Sequence, residues 1–543
     1  MLQFAVRVSR TFCNRKDAFG AGASALLALM LGIAICQPAA AQESWPQFGQ
    51  NNANTSSNDS ESQISVETVP TLKVKWKFPA YGDVSARAAV VGGIVYFPDW
   101  KGWLWALNAG SGTVVWHKKL ANFNLTNPST GAVLTTAISR TTPAIANGVL
   151  YLGVMQGGWF LALNAKTGSL IWKVRPESAE STSQITGSPS YAAGLVYVGV
   201  TSSQEALVGD KPRPARGAVV ALEASSGKVQ WKTYMTPTGY DGAGVWGSAP
   251  VVDEGRGTVY VGTGDNYDEP TDSAYTQCIQ NGGKVSTCQS SQNYVDAVVA
   301  MDMYTGKVKW GRRLVTWPQD ASQNGSDMFN LSCVQADQTG CPTPEGPDFD
   351  FGSSPNEITY ATSGGSVTIL GIGQKSGIYY ALNPDTGQVL WKTQVGPGSR
   401  MGGILWGSAS DNKRIYVAIG NPFGASYPNA ALGTAGTWAA LDPATGKILW
   451  QVADPSKVPD LGAMTVANGV VYAPSTAHTS GAPTMLALNA ATGKRLWSYA
   501  GGATTIAGAT VLNGMVYWGS GYSRMGSPYN GNHTLYAFSL NGK

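Results

Sequence analysis

One pattern recurs seven times along this chain: small and apolar residues, a step such as Ala-Leu-Asn, a Thr-Gly or Ser-Gly turn, then a tryptophan. It ends at Trp116 (WALNAGSGTVVW), Trp172 (LALNAKTGSLIW), Trp231 (VALEASSGKVQW), Trp310 (VAMDMYTGKVKW), Trp391 (YALNPDTGQVLW), Trp450 (AALDPATGKILW) and Trp497 (LALNAATGKRLW). An eighth tryptophan, Trp76 in LKVKWKF, lacks the upstream half of the motif. That half stands at the other end of the chain, as LYAFSLNGK over 535–543. Self-similarity of this kind restricts the chain to a repeat architecture.

Each unit reads as a hairpin, two short apolar strands around a turn where glycine takes positive φ cheaply. Another strand pair precedes most units, such as PAIANGVLYLGV (143–154) and ATVLNGMVYWGS (509–520), with Asn-Gly at the turn. Four strands per unit and eight tryptophans predict an all-β, eight-bladed β-propeller over 71–543. In it the N-terminal strand completes the last blade and hides the sheet edges. Tryptophan rings are expected to stack between blades. With 67 glycines, 18 tryptophans and only 13% charged residues, the composition suits many tight turns around large buried rings.

Residues 1–41 read as a secretory leader: Arg7, Arg10, Arg15 and Lys16, an apolar run from about Ala18 to Ile35, then Ala39-Ala40-Ala41 before Gln42. Residues 42–70 form an N-terminal extension. Removing the leader takes the formal charge from +4 to +1, because four cations and Asp17 leave with it. A near-neutral chain offers no footprint for nucleic acid or acidic membrane. No membrane anchor is expected, and a periplasmic protein is. Four cysteines remain, and their spacing in an oxidising compartment favours the local bridges Cys278–Cys288 and Cys333–Cys341, other pairings being open. They fall in polar inserts at about 266–293 and 317–354, within the two longest gaps between repeat tryptophans. Inserts in a propeller go into loops on one face, commonly the face that binds something.

Four segments carry chemistry. ITGSP (185–189) contains Thr186 and is followed by VGVTSSQE, ending at Glu205. VWGSAPVVDEGRGTVYVGTGDNY (245–267) holds Trp246, a tryptophan outside the blade-end pattern, and Asp265, with Asn266 beside it. GPDFDFGSSP (346–355) holds Asp348 and Asp350, which strand alternation would place on one face. Two carboxylates on one face repel unless a cation sits between them. ILGIGQKSGIYY holds Lys375 just before a Ser-Gly turn.

In this order along the chain, these segments resemble the propeller of the quinoprotein alcohol dehydrogenases, which use pyrroloquinoline quinone (PQQ) and a metal ion. The resemblance covers roughly 70–543 and is strongest to the branch acting on polyvinyl alcohol, notably over Trp317–Pro355 and 402–421. It implies that Trp246 lies flat against the quinone and that Thr186, Lys375 and Glu205 bind the cofactor. It also implies that Glu205, Asp265, Asp348 and Asp350 surround the metal, and that Asp348 is the catalytic base, supported by Lys375. The family usually has Asn where Asp265 stands, so Asn266 is an alternative ligand.

Four carboxylates would suit a trivalent lanthanide, as would an Asp two residues after the base; Ca2+ is the default for this branch and is the expectation. No Cys-x-x-Cys-His occurs, so no haem is expected, and the adjacent cysteines of the wider family are missing from LVGDKPRPARG (207–217). The implied function is oxidation of secondary alcohols, polymeric or bulky ones included, to ketones, with hydride passing to PQQ and electrons to a separate acceptor such as a soluble cytochrome c. The rivals are a propeller that only binds or assembles other molecules, and a hydrolase or lyase using the carboxylates on a sugar polymer. No histidine mechanism is expected, since His117, His478 and His533 all lie outside these segments.

Overall fold

Among the described residues eight sheets follow one another along the chain, each with four antiparallel strands; Ser183–Gln184 adds a fifth strand to one, and Ser57–Asn58 pairs in parallel with another. The computed structural model describes residues 43–206, 214–247, 249–314, 328–334 and 345–543. The expected leader and most of the 317–354 insert, Cys341 included, lie outside the described residues. Blade 1 spans 89–119, blade 2 144–174, blade 3 190–234, blade 4 251–313, blade 5 356–394, blade 6 409–453 and blade 7 465–499. Blade 8 is built from both ends: strands 510–512, 515–520 and 534–540 are completed by Leu72–Pro79, which pairs antiparallel from Leu72↔Leu540 to Pro79↔Thr534. The ring is thus closed by strands 468 residues apart, counted from Leu72 to Leu540, a pairing whose loop-closure entropy grows only logarithmically with length.

The repeated tryptophan and glycine are two halves of one contact. Each of the eight tryptophans lies on an outer strand and donates its indole N–H to a carbonyl of the next blade at 2.9–3.0 Å, from Trp76 to Ala109 round to Trp497, whose acceptor is Leu72. Seven of the turn glycines (112, 168, 227, 306, 387, 446 and 493) have φ between 67° and 74°, and a Cβ on any of them would come within 2.4–2.7 Å of the preceding blade's indole. The rings therefore sit at the seams as expected, but against the neighbouring glycine turn rather than stacked on one another. A side chain at the turn would fill the ring's place.

The N-terminal extension does more than lead into the last blade. Between Trp45 and Asn58 it touches the inner strand of every blade in order. Trp45 pairs with Val90, and Pro46, Asn52, Ala53, Thr55 and Ser56 present carbonyls to the N–H groups of Ile145, Val252, Glu357, Ser410 and Val466 at 2.8–3.1 Å. The Gln47 side chain accepts from Tyr191 N–H in blade 3, and Asn58 donates to Val511 C=O in blade 8. Arg87, 1% exposed, ties this strap to blade 7 through Phe48 C=O, Ser56 Oγ, Met464 C=O and Thr465 Oγ1.

The first insert carries short helices at Ser273–Gln280 and Val285–Cys288, joined by a Cys278–Cys288 disulfide. Cys333 is also disulfide-bonded. Among the described residues no helix is long and apolar enough to cross a membrane.

Candidate active site

The candidate residues come from two classes of loop, those entering an inner strand and those joining a blade's second and third strands. Thr186, Trp246 and the Asp348–Asp350 pair precede the inner strands of blades 3, 4 and 5; Glu205, Asp265 and Lys375 follow the second strands of the same blades. Both loop classes open on one face of the ring. Glu205 is half-buried on a single 3-10 turn, Gln204–Ala206.

Asp265, Asp348 and Asp350 converge, with one carboxylate oxygen from each lying within 4.8 Å of the others, and all three are buried. Strand alternation does not produce this. Residues 345–355 form a loop rather than a strand, and the first strand of blade 5 begins at Asn356. Asp348 has φ 60°, a left-handed conformation costing an ordinary residue about 1 kcal/mol, and that turn brings its carboxylate beside that of Asp350. Strain of this kind persists where surrounding contacts over-determine it.

Those contacts are specific. Lys375 Nζ donates to Asp348 Oδ1 at 2.5 Å and lies 3.5 Å from Asp350 Oδ2. Asp350 Oδ1 accepts from Asp265 N–H at 2.8 Å, and its Oδ2 accepts from the Trp246 indole N–H at 2.7 Å. The approach needs the glycine at 264, where a Cβ would sit 2.9 Å from Asp350 Oδ1. Trp246 is held by that bond, lies 5.0 Å by ring centroid from Lys375 Nζ, and meets Trp406 edge to face at 5.6 Å. Thr186 Oγ1 donates to Trp246 C=O at 3.2 Å.

Charge in this group is unbalanced. Three aspartates face a single ammonium, with Glu205 close enough to perturb them. Burial pushes the Asp348 carboxyl well above the usual range, against the pull of Lys375 and with Asp350 and Glu205 adding to the rise. Glu205 is pushed up to about 7 by burial and then by the Asp350 charge. Burial opposes the Lys375 ammonium, yet Asp348, Asp350 and Glu205 hold its pKa above the ordinary lysine value. A hard cation among the carboxylates would relieve that repulsion. Glu205 stands beside the three-aspartate cluster rather than within it, and Asn266 turns away, its side chain bonding Asp241 C=O and Asn293.

Sequence reasoning missed two residues that complete the site. Arg140 is half-buried, with its guanidinium 4.9 Å from the Trp406 ring centroid and 5.9 Å from that of Trp246, and it donates to Thr186 C=O at 3.3 Å. Burial lowers its pKa, with Tyr522 opposing the fall and the Arg524 charge adding to it. With Thr186, Trp406 and Tyr522 it lines a cavity of about 50 Å3. Signals for both were present. Trp406 opens WGSA (406–409), repeating WGSA at 246–249, and Arg140 stands three residues before Pro143 just as Thr186 stands three before Pro189.

Comparison with known proteins separates scaffold from activity. A family profile described as outer membrane protein assembly factor BamB matches residues 60–311 and 374–526, the repeated blades. A polyvinylalcohol dehydrogenase from a Pseudomonas species is 31% identical over 88% of this chain and 74% of its own length. The polyvinylalcohol dehydrogenase of Sphingopyxis sp. (strain 113P3) is 30% identical with the same coverage. The quinohemoprotein alcohol dehydrogenase structure from Comamonas testosteroni superposes with a TM-score of 0.66 at 19% identity, over 92% of this chain and 81% of that one, which shows the shared fold. The chain therefore belongs to the polyvinyl alcohol dehydrogenase family of quinoprotein alcohol dehydrogenases, and it is an oxidoreductase of that kind.

Proposed function

We propose that this protein is a periplasmic PQQ-dependent alcohol dehydrogenase that converts secondary alcohols, polymeric or bulky ones included, to ketones and passes electrons to a separate acceptor such as a soluble cytochrome c. The observation that carries the reading is the convergence of Asp265, Asp348 and Asp350 on Lys375 beside the Trp246 ring. The residues fit a flat, polycarboxylated quinone with a cation: an indole face, the Arg140 guanidinium at one end, and an excess of carboxylates at the other.

The bound quinone supplies the hydride acceptor. Asp265, Asp348 and Asp350 would hold the cation, with Ca2+ the expected ion and Glu205 beside it. Arg140 and Thr186 would bind the cofactor's carboxylates, and Trp246, its indole N–H held by Asp350, would pack against the ring system. Asp348 takes the substrate's hydroxyl proton. Lys375 holds Asp348 Oδ1 toward the reacting end and stabilises negative charge developing there. Export from residues 1–41 is supported by the leader pattern and by the Cys278–Cys288 disulfide, which suits an oxidising compartment.

The test is reconstitution of the leader-free protein with PQQ plus calcium or lanthanum, following dye reduction on primary, secondary and polymeric alcohols. Activity should need both additions and fall by at least about 100-fold in Asp348→Asn, the range expected for a lost general base. Dye reduction that is indifferent to PQQ, or an Asp348→Asn variant as active as the wild type, would overturn the assignment.

A further inference from the structure

A second and larger cavity, about 410 Å3, opens between blades 8, 1 and 2. It is lined by Asp83, Trp100, Lys101, Gln156, Arg524 and His533, carried by the same loop classes that build the metal cluster. It therefore faces the same side of the propeller. In a ring of eight, blade 1 stands opposite blade 5, so this cavity lies across the axis from Asp348 and Lys375. Its inner wall is thin: Trp100 packs edge-on against Tyr522 at 5.8 Å, and Tyr522 also lines the central cavity.

The lining is ordered. Trp100 Nε1 donates to Ser85 Oγ at 2.7 Å, which sets the ring's tilt. Asp83 is 4% exposed; its Oδ2 accepts from Ser523 N–H and Oγ at 2.7 and 2.6 Å, while Oδ1 makes no hydrogen bond and lies 3.8 Å from His533 Nε2. The aromatic surface continues along the rim, where Tyr81, 51% exposed, packs on Trp103 at 5.1 Å. Buried Asp99 fixes both, accepting from the N–H groups of Tyr81, Lys101 and Trp103 and from the Trp105 indole at 2.8–3.2 Å.

We infer that this cavity is a subsite for the part of a neutral, chain-like polyol that extends beyond the reacting carbinol, an inference that rests on the dehydrogenase reading above. A chain of alternating CH2 and CHOH units presents apolar edges that pack on ring faces and hydroxyls that both donate and accept. Trp100, with Tyr81 and Trp103 beyond it, supplies the faces; Lys101, Gln156 and Arg524 donate, and Asp83 accepts. A short alcohol reaching Asp348 does not extend across the axis, so the subsite acts only on chains.

Native electrophoresis through gels containing polyvinyl alcohol oligomers reads binding without activity. Wild type should be retarded, and the Lys101→Ala/Arg524→Ala double variant and Trp100→Leu should migrate freely, each confirmed folded by its circular dichroism. In the reconstituted enzyme, KM should fall with chain length in the wild type. In the double variant KM for the oligomer should rise about tenfold, equivalent to about 1.4 kcal/mol, with kcat/KM for a small secondary alcohol unchanged. Unretarded wild type, variants still retarded, or equal losses on short and long substrates would overturn the subsite. So would stronger retardation by polyaspartate that vanishes near about 0.3 M salt, the signature of a screened anion site. Retardation without PQQ-dependent oxidation of any small alcohol would instead refute the dehydrogenase reading and leave the polyol site standing.

Discussion

Gly387→Ala separates the seam mechanism from simple turn strain. Gly387 has φ 67°, and a Cβ there would lie 2.5 Å from Trp310 Cε3 and 2.8 Å from Cδ2. The left-handed backbone costs alanine about 1 kcal/mol. Displacing the indole adds about 1–3 kcal/mol of overpacking, and its 3.0 Å bond to Pro384 C=O is worth about 1 kcal/mol more. The sum is about 3–5 kcal/mol. Gly148, also left-handed at φ 77° but with nothing within 4 Å of its Cβ position, is the control and should lose only about 1 kcal/mol as Gly148→Ala. The seam between blades 4 and 5 also aligns Asp265 with Asp348 and Asp350, whereas Gly493 packs on Trp450 at the seam between blades 6 and 7. Denaturant titration should therefore give matched losses for Gly387→Ala and Gly493→Ala, while calcium titration of the reconstituted protein should weaken only in the first. Equal stability of Gly387→Ala and Gly148→Ala would refute the clash, and equal calcium affinity of the two seam variants would refute the coupling of seam to site.

Two further perturbations test other parts of the molecule. Asp460 is fully buried, and burial followed by the Asp454 charge raises its pKa well above the carboxylate range. A carboxyl that keeps its proton in the fold but loses it on unfolding stabilises the fold at low pH. That stability drains away as pH rises from the unfolded pKa toward the folded one, at about 1.4 kcal/mol per unit. Asp460→Asn should thus raise the unfolding midpoint at pH 8.5 and leave it nearly unchanged at pH 4; a uniform shift at both would contradict the assignment. Arg87→Met removes the four contacts that join the strap to blade 7 and should cost about 3 kcal/mol or more. Faster proteolysis within residues 45–61 would report the loosened strap, and an unchanged cleavage rate would show that the other blades hold it unaided.

Architecture and seams were written locally. Periodic tryptophans, turn glycines and the split eighth repeat are short-range patterns, and a ring follows because each unit can bury its edge only against the next. The order Thr186, Glu205, Trp246, Asp265, Asp348, Asp350, Lys375 was equally legible, since each residue belongs to a segment of a few positions. Tertiary structure alone decided how those side chains meet. Asp348 and Asp350 converge through a left-handed loop residue and not through strand alternation, and Glu205 falls beside the cluster because its 3-10 turn ends the second strand of another blade. Arg140 and Trp406 reach the site from blades 2 and 6, where the sequence signals, a repeated WGSA and a spacing to proline, name no chemistry by themselves. The strap was invisible because most of its hydrogen bonds to the blades run through backbone groups, which no residue pattern records. A propeller's repeat is dictated by contacts between neighbours in sequence, whereas its centre is made where loops distant in sequence come together.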